Sequence, residues 1–204
     1  MLRVNCRLCI KDNLLVSIVY LFLIPMIRGI SNLDKIHTAE CLEQAVTFIG
    51  VFLLVPIVKP EQSCEIRETV FSKRLSYSKI LLLRLTIAVL ILIILIMGFS
   101  LVMLVHNCLF PFWPYVAGTF VSAVALGSCG LFVSSLSNNV IAGYFSSAGY
   151  FILNLLGAIT DKSILYLFAM SNGGYITKYW LLIMSLLLIV GVFLYERIIY
   201  HNNI

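Results

Sequence analysis

Charged side chains are scarce in this sequence, at 11% of 204 residues, and only nine are Asp or Glu. A soluble domain carries about 25%, so an ordinary water-facing surface is excluded. Long polar runs are missing too: none exceeds about 25 residues, less than independent folding typically needs. That excludes a separate soluble catalytic domain. A phosphate-binding G-x-x-x-x-G-K-[ST] loop is absent, so the chain is not itself a P-loop ATPase. Histidine is confined to His37, His106 and His201, all outside the apolar runs described below. Gly127-Ser128-Cys129-Gly130 carries cysteine where an intramembrane protease would need its serine, and no base stands ready to activate a nucleophile. No catalytic residue or metal ligand set is expected.

The six cysteines are dispersed. Cys6 and Cys9 form a C-x-x-C pair without a second pair or a nearby histidine to complete a metal site. They read as small apolar residues on an interfacial helix. Cys41 and Cys108 are a weak pair for thiol-disulfide chemistry near the outer face.

What the sequence has is apolar length. Hydrophobic residues make up 61% of it and mean hydropathy is +1.05. Runs long enough to cross about 30 Å of hydrocarbon fall at Leu14–Ile30, Leu42–Val58, Ile80–Val105, Tyr115–Leu136, Val140–Thr160 and Tyr179–Tyr200. These predict an all-α integral membrane protein of about six transmembrane helices, a single domain over 1–204. Pro25 and Pro56 lie near run ends, where a break is least harmful. Arg3, Arg7 and Lys11 precede the first run, but no small-residue cleavage site follows, so the run is expected to be a retained span.

Basic residues set the expected orientation. They collect before the first span, around the connection between spans two and three (Lys59, Arg67, Lys73, Arg74, Lys79, Arg84) and after the sixth (Arg197). Only Arg28, Lys35, Lys162 and Lys178 occupy the other side. The positive-inside rule then puts both termini in the cytoplasm of a multi-pass cell-membrane protein. Phe110, Phe112, Trp113 and Tyr115 suit the outer interface. The segment 161–178 includes Ile164–Met170, too short to cross; it either dips into the membrane as a re-entrant segment or rests on the bundle as a loop.

Between spans two and three, residues 59–79 form the main charged stretch. Pro60 suits a first helical turn. Glu61, Glu65 and Glu68 lie towards its N-terminal half, and Lys73, Arg74 and Lys79 towards the other, which complements a helix dipole. Ile66, Val70, Phe71 and Leu75 fall on one apolar stripe. An amphipathic surface helix results, lying on anionic lipid or docking a soluble partner; glutamates beside the basic residues favour the partner.

Inside the runs, Glu43 and Gln44 lie near the outer end of the second and Arg84 near the inner end of the third. So few ionisable groups weigh against a proton-coupled transporter. Gly118 and Ser122, Ala123 and Gly127, Gly130 and Ser134, and Gly143 and Ser147 are small-xxx-small pairs that bring helices together, within one bundle or across a dimer. Asn154 is an amide deep in span five, where it must bond a neighbour or face a polar path.

Glu65-Ile66-Arg67-Glu68 followed by Ser72-Lys73-Arg74-Leu75-Ser76-Tyr77-Ser78-Lys79-Ile80, set between spans two and three of six, resembles the permease subunits of type-2 ATP-binding cassette exporters. The likeness covers nearly the whole chain in topology; its local motif is degenerate, and the chain is short for that family. The resemblance implies an N-terminal interfacial helix (1–13), a cytoplasmic coupling helix (59–79) and alternating access in a dimer, with a second permease copy, identical or related. It implies two copies of a cytoplasmic ATPase that binds ATP and Mg, so that this chain binds no cofactor itself, and the lipid bilayer rather than nucleic acid as its surroundings. Glu65, Arg67, Glu68 and Arg74 become the expected ATPase contacts, and Asn154 a candidate for the translocation path. The cargo would be hydrophobic or amphipathic, such as a peptide, an antibiotic or a lipid-like compound. The substrate-binding membrane subunit of a vitamin importer is the alternative, and an intramembrane enzyme a more distant one.

Overall fold

Away from water an apolar run satisfies its backbone only by bonding within itself. The computed structural model describes residues 11–62, 77–160, 163–171 and 173–202, and all regular structure among them is helical. There are six helical rods: α1 (Lys11–Arg28), α2 (Lys35–Val58), α3 (Tyr77–Val105), α4 (Phe112–Ser137), α5 (Val140–Leu155) and α6 (Tyr175–Asn202). Four of them, α2, α3, α4 and α6, are long and apolar enough to cross a membrane. The 18 residues of α1 begin with Lys11-Asp12 and end with Arg28, while α5 is a shorter apolar helix of 16 residues.

Helix ends follow local chemistry. Gly29, at φ +67°, stops α1 because glycine enters the left-handed region without strain. Asn138, at φ +50°, ends α4, and the side chain of Asn139 accepts the Ile141 N–H at 2.9 Å to cap α5. Several expected span boundaries are corrected. The fifth ends at Leu155 rather than Thr160, because Gly157 (φ +71°) turns the chain and the Ala158 N–H closes back on the Leu153 carbonyl. The second starts at Lys35 rather than Leu42, since Lys35–Glu40 is already helical.

Helix α4 is the hub. It packs on α5 and α6, on the length of α2 and on α3, while α1 leans on α2. Within their most apolar stretches 78% of α2 and 67% of α4 is buried, against 33% of α3 and 17% of α6. The outer helices turn bulky apolar groups outward, among them Phe22 (74% exposed), Ile94, Phe145 and Leu187. Apolar surface on that scale is unusual for a monomer in water and suits a lipid-facing belt.

The small residues of α4 meet neighbours within this one bundle. A β-carbon on Gly50 of α2 would collide with the Ala123 backbone, and one on Gly143 of α5 with the Gly130 carbonyl. The Ser147 hydroxyl donates across to the Leu126 carbonyl at 3.0 Å.

The loops 29–34 and 106–111 and the described residues of the connection between α5 and α6 (156–160, 163–171 and 173–174) share one end, called here the distal face, opposite Lys11 and Asn202. Loops 29–34 and 106–111 are laced by Asn32 N–H to His106 O (3.0 Å) and Leu109 N–H to Leu33 O (3.2 Å). The Tyr115 hydroxyl donates to the Lys35 carbonyl, and Phe110 stacks on Tyr115 at 5.7 Å. At the other end Lys59–Gln62 prolong α2 as part of the 3-10 turn Val55–Gln62, and Tyr77 opens α3. The rest of the charged stretch, with Glu65, Arg67, Glu68 and Arg74, lies outside the described residues, as do residues 1–10 of the expected interfacial helix; residues 11–13 belong to α1.

Candidate functional site

Helix α2 is not regular. An α-helical start gives way to a π turn at Cys41–Ala45, then a 3-10 turn at Val46–Phe48, before α geometry resumes at Ile49–Leu54. A π turn inside a helix is rare and concentrates at functional positions. Here it carries Glu43 inward, fully buried, and presents its neighbour Gln44 towards α1, where Gln44 Oε1 accepts from Arg28.

Lys178 reaches the same place from α6. The expectation that the sixth span begins at Tyr179 left this lysine outside; in the fold Gly173 (φ +70°) and Gly174 end the preceding irregular segment, and α6 starts at Tyr175. Lys178 is thus in the first turns of the helix and only 5% exposed. Its Nζ lies 2.5 Å from Glu43 Oε1, 2.5 Å from Ser122 Oγ on α4 and 2.5 Å from the Leu167 carbonyl. An ammonium has three donors, and each finds an acceptor.

The carboxylate is equally engaged. Both Glu43 oxygens accept the Met170 backbone N–H, at 3.0 and 3.2 Å. Ser122 also donates to the Leu167 carbonyl at 3.1 Å. Leu167 N–H in turn donates to Asn154 Oδ1 at 2.9 Å, and Asn154 Nδ2 donates to the Tyr150 carbonyl at 3.0 Å. Asn154 therefore joins α5 to the segment after it and is 2% exposed.

These bonds hold a piece of irregular backbone inside the bundle. Leu167, Phe168, Ala169 and Met170 are all buried, although their backbone is not helical. Leu167 and Phe168 pack with Val51, Val55 and Leu126, and Phe168 meets Phe151 edge to face at 5.5 Å. Met170 lies over Gly118, where a β-carbon would strike its sulfur. Non-helical backbone at membrane depth persists only where protein surrounds it, and here polar anchors from Glu43, Ser122, Asn154 and Lys178 add to the apolar packing. Breaking one side of a buried ion pair costs about 3–5 kcal/mol, and orphaning a buried backbone group about 1–3 kcal/mol. The cluster is therefore a strong clamp on Leu167–Met170.

At the opposite end, the Ser135 hydroxyl donates to Glu196 Oε1 at 2.8 Å, and Arg84 Nη1 donates to the Ile57 carbonyl at 3.3 Å. Helix α6 is thereby pinned to α4 near both ends. Among the described residues no group of three or more His, Cys, Asp or Glu side chains is placed to hold a metal. Cys41 and Cys108 are free thiols, both buried, and Cys108 donates to the Ile30 carbonyl.

Sequence reasoning had Glu43, Lys178 and Asn154 in hand but did not join them, and it overlooked Glu196. A usable signal existed: an acid and a base at the same end of two apolar runs, in a medium where charges must pair. No protein-family model, no curated protein and no solved structure matches this chain.

Proposed function

We propose that this chain is the membrane-spanning permease subunit of an ATP-driven exporter of the ATP-binding cassette kind, working as a dimer with two copies of a cytoplasmic ATPase. The observation that carries the reading is where the described chain flanks the main charged stretch. The helical stretch that continues α2 runs out at Gln62 and α3 begins at Tyr77, at the end of the bundle that also bears Lys11 and Asn202. A six-helix permease needs a charged element there, between its second and third helices, to receive motion from a partner.

The buried charges support the same reading. The Glu43–Lys178 pair has its hydrogen-bonding capacity engaged by protein groups. Coupling by proton or ion flow needs a titratable group that changes partners along a path; a permease moved by an external ATPase does not. Glu65, Arg67, Glu68 and Arg74 are the proposed contacts with that ATPase. Its ATP and Mg supply the energy, and both termini face the cytoplasm of the cell membrane. A hydrophobic or amphipathic cargo suits a chain that is 61% hydrophobic and only 11% charged.

The test is capture of the tagged chain from its native membranes, with the co-purifying protein assayed for Mg-dependent ATPase activity. The expected result is an associated ATPase whose recovery falls about tenfold when Glu65→Lys and Glu68→Lys are combined, as loss of ~1.4 kcal/mol requires. No associated ATPase, or one whose recovery is unchanged by the charge reversal, overturns the reading. Tight vitamin binding by the chain alone would favour the importer subunit instead.

A further inference from the structure

A cleft of about 270 Å³ lies between α1, α2 and α5. Its walls are Tyr20, Leu23, Ile24 and Ile27 of α1 and Phe151 and Leu155 of α5, closed at the back by Ala45. Ile27 is 78% exposed and Leu155 53%, so the cleft opens sideways along the outer surface of the bundle. At its distal end stands Arg28, exposed, with Gln44 beside it. Arg28 donates to two neutral acceptors, the Glu40 carbonyl at 3.3 Å and Gln44 Oε1 at 2.5 Å. Arg28 takes no part in the His37–Glu40 or the Lys178–Glu43 ion pair.

Depth gives this arrangement its meaning. The 18 residues of α1 rise about 1.5 Å each, roughly 27 Å in all, close to the ~30 Å of a hydrocarbon core. With α1 upright in a bilayer and Lys11 at the opposite headgroup layer, Arg28, its last residue, comes to phosphate level. Ile27, the Leu23-Ile24 pair and Tyr20 descend from it by successive turns into chain depth. An apolar cleft has no preference of its own among lipids, because acyl chains are as apolar as the side chains they touch. The guanidinium does discriminate: it pairs with phosphate oxygens through parallel N–H donors, and only in an anionic lipid is that phosphate not offset by a cationic headgroup such as choline.

We propose that this cleft holds one anionic phospholipid of the surrounding bilayer, its headgroup phosphate on Arg28 and one acyl chain lying between α1 and α5. The two donors already engaged hold the guanidinium over the cleft, and the donors that remain face the headgroup layer. The proposal rests on the chain being embedded in a membrane. It does not rest on an ATPase, so either idea can fail without the other.

The chain is reconstituted in nanodiscs containing equal phosphatidylglycerol and phosphatidylcholine, re-extracted in neutral detergent, and its retained lipid counted by native mass spectrometry. Phosphatidylglycerol should be retained about tenfold over phosphatidylcholine, the ratio a ~1.4 kcal/mol contact gives. Arg28→Gln should abolish the preference, and Lys35→Gln, which removes an exposed cation on the same face outside the cleft, should leave it intact. Leu155→Trp, which fills the cleft with Arg28 untouched, should release the lipid and keeps the proposal testable if Arg28→Gln does not fold. Equal retention of the two lipids, or equal losses from Arg28→Gln and Lys35→Gln, would overturn it. So would efficient disulfide cross-linking of Leu155→Cys to a second copy in native membranes, which would show the cleft covered by protein.

Discussion

Met170 and Glu43, 127 residues apart in the chain, are joined by one backbone N–H shared between both oxygens of the carboxylate. Lys178 completes the contact from the other side. A carboxylate, an ammonium and a strip of peptide backbone would each be unwelcome alone in an apolar bundle. Together they neutralise charge and satisfy donors and acceptors. The cluster binds α2, α4, α6 and the segment before α6 into one unit, and each of its links can be tested.

Removing one charge should harm more than removing both. Glu43→Gln leaves the Lys178 ammonium buried without a counter-charge, at about 3–5 kcal/mol. In a chain of this size that lowers the melting temperature by roughly 10 °C, read by fluorescence-detected size exclusion of heated samples. The double variant Glu43→Leu with Lys178→Met should melt higher than either single variant. A double loss equal to the sum of the singles would show that the pair is not coupled.

Asn154→Leu should loosen the inserted segment and leave the helices in place. The Leu167 N–H then has no acceptor inside the bundle, at about 1–3 kcal/mol. Amide exchange over residues 165–170 should accelerate by roughly tenfold or more, measured by mass spectrometry, with α4 unchanged. Uniform acceleration across all helices would contradict a local role.

Glycines should divide by what faces them. Gly50→Ala and Gly143→Ala drive a methyl group into the backbone of a neighbouring helix, an overpacking of about 1–3 kcal/mol. Gly98→Ala and Gly149→Ala face open space and gain helix propensity, so thermal stability should hold or rise slightly. Similar behaviour of the two groups would argue that α2, α4 and α5 do not approach this closely.

Cys41 and Cys108, 2% and 3% exposed, should resist a maleimide in the folded protein and react after denaturation. The measurement is mass shift in a chain carrying serine at positions 6, 9, 64 and 129. Prompt labelling of either would mean that the distal face opens on the timescale of the reaction.

Much of the fold is legible in the sequence because apolar length and turn residues are local properties. A helical rod stands at each of the six apolar runs, although only α2, α3, α4 and α6 are long and apolar enough to cross a membrane, and Phe110, Phe112 and Tyr115 gather at a bundle end. The limits of that reasoning appear at Thr160 and Leu42, where a left-handed glycine and an early helix start moved the boundaries. The polar cluster was hidden for a different reason. Pairing Glu43 with Lys178 depends on helices distant in the chain lying side by side, and aiming Glu43 inward depends on a π turn that no residue pattern advertises. Hydropathy also treated 161–178 as a choice between surface and membrane, whereas Leu167–Met170 is held within protein by Glu43, Ser122, Asn154 and Lys178. The charged residues 65, 67, 68 and 74 were the clearest functional signal, and they fall outside the described residues.

The widened turn at Cys41–Ala45 makes α2 sensitive to length as well as to composition. A regular α-helix advances about 100° per residue, and a π turn takes up one residue more than that repeat allows. Below the turn, Gly50 must face Ala123; within it, Glu43 must face Lys178. Deleting a single residue between positions 41 and 45 would let α2 relax into an ordinary helix and rotate these two appointments out of phase by about a quarter turn. The rod would become more regular while the bundle lost either its closest helix contact or its buried charge pair. In this helix the number of residues is itself information, and a one-residue gap would be a heavier lesion than many substitutions.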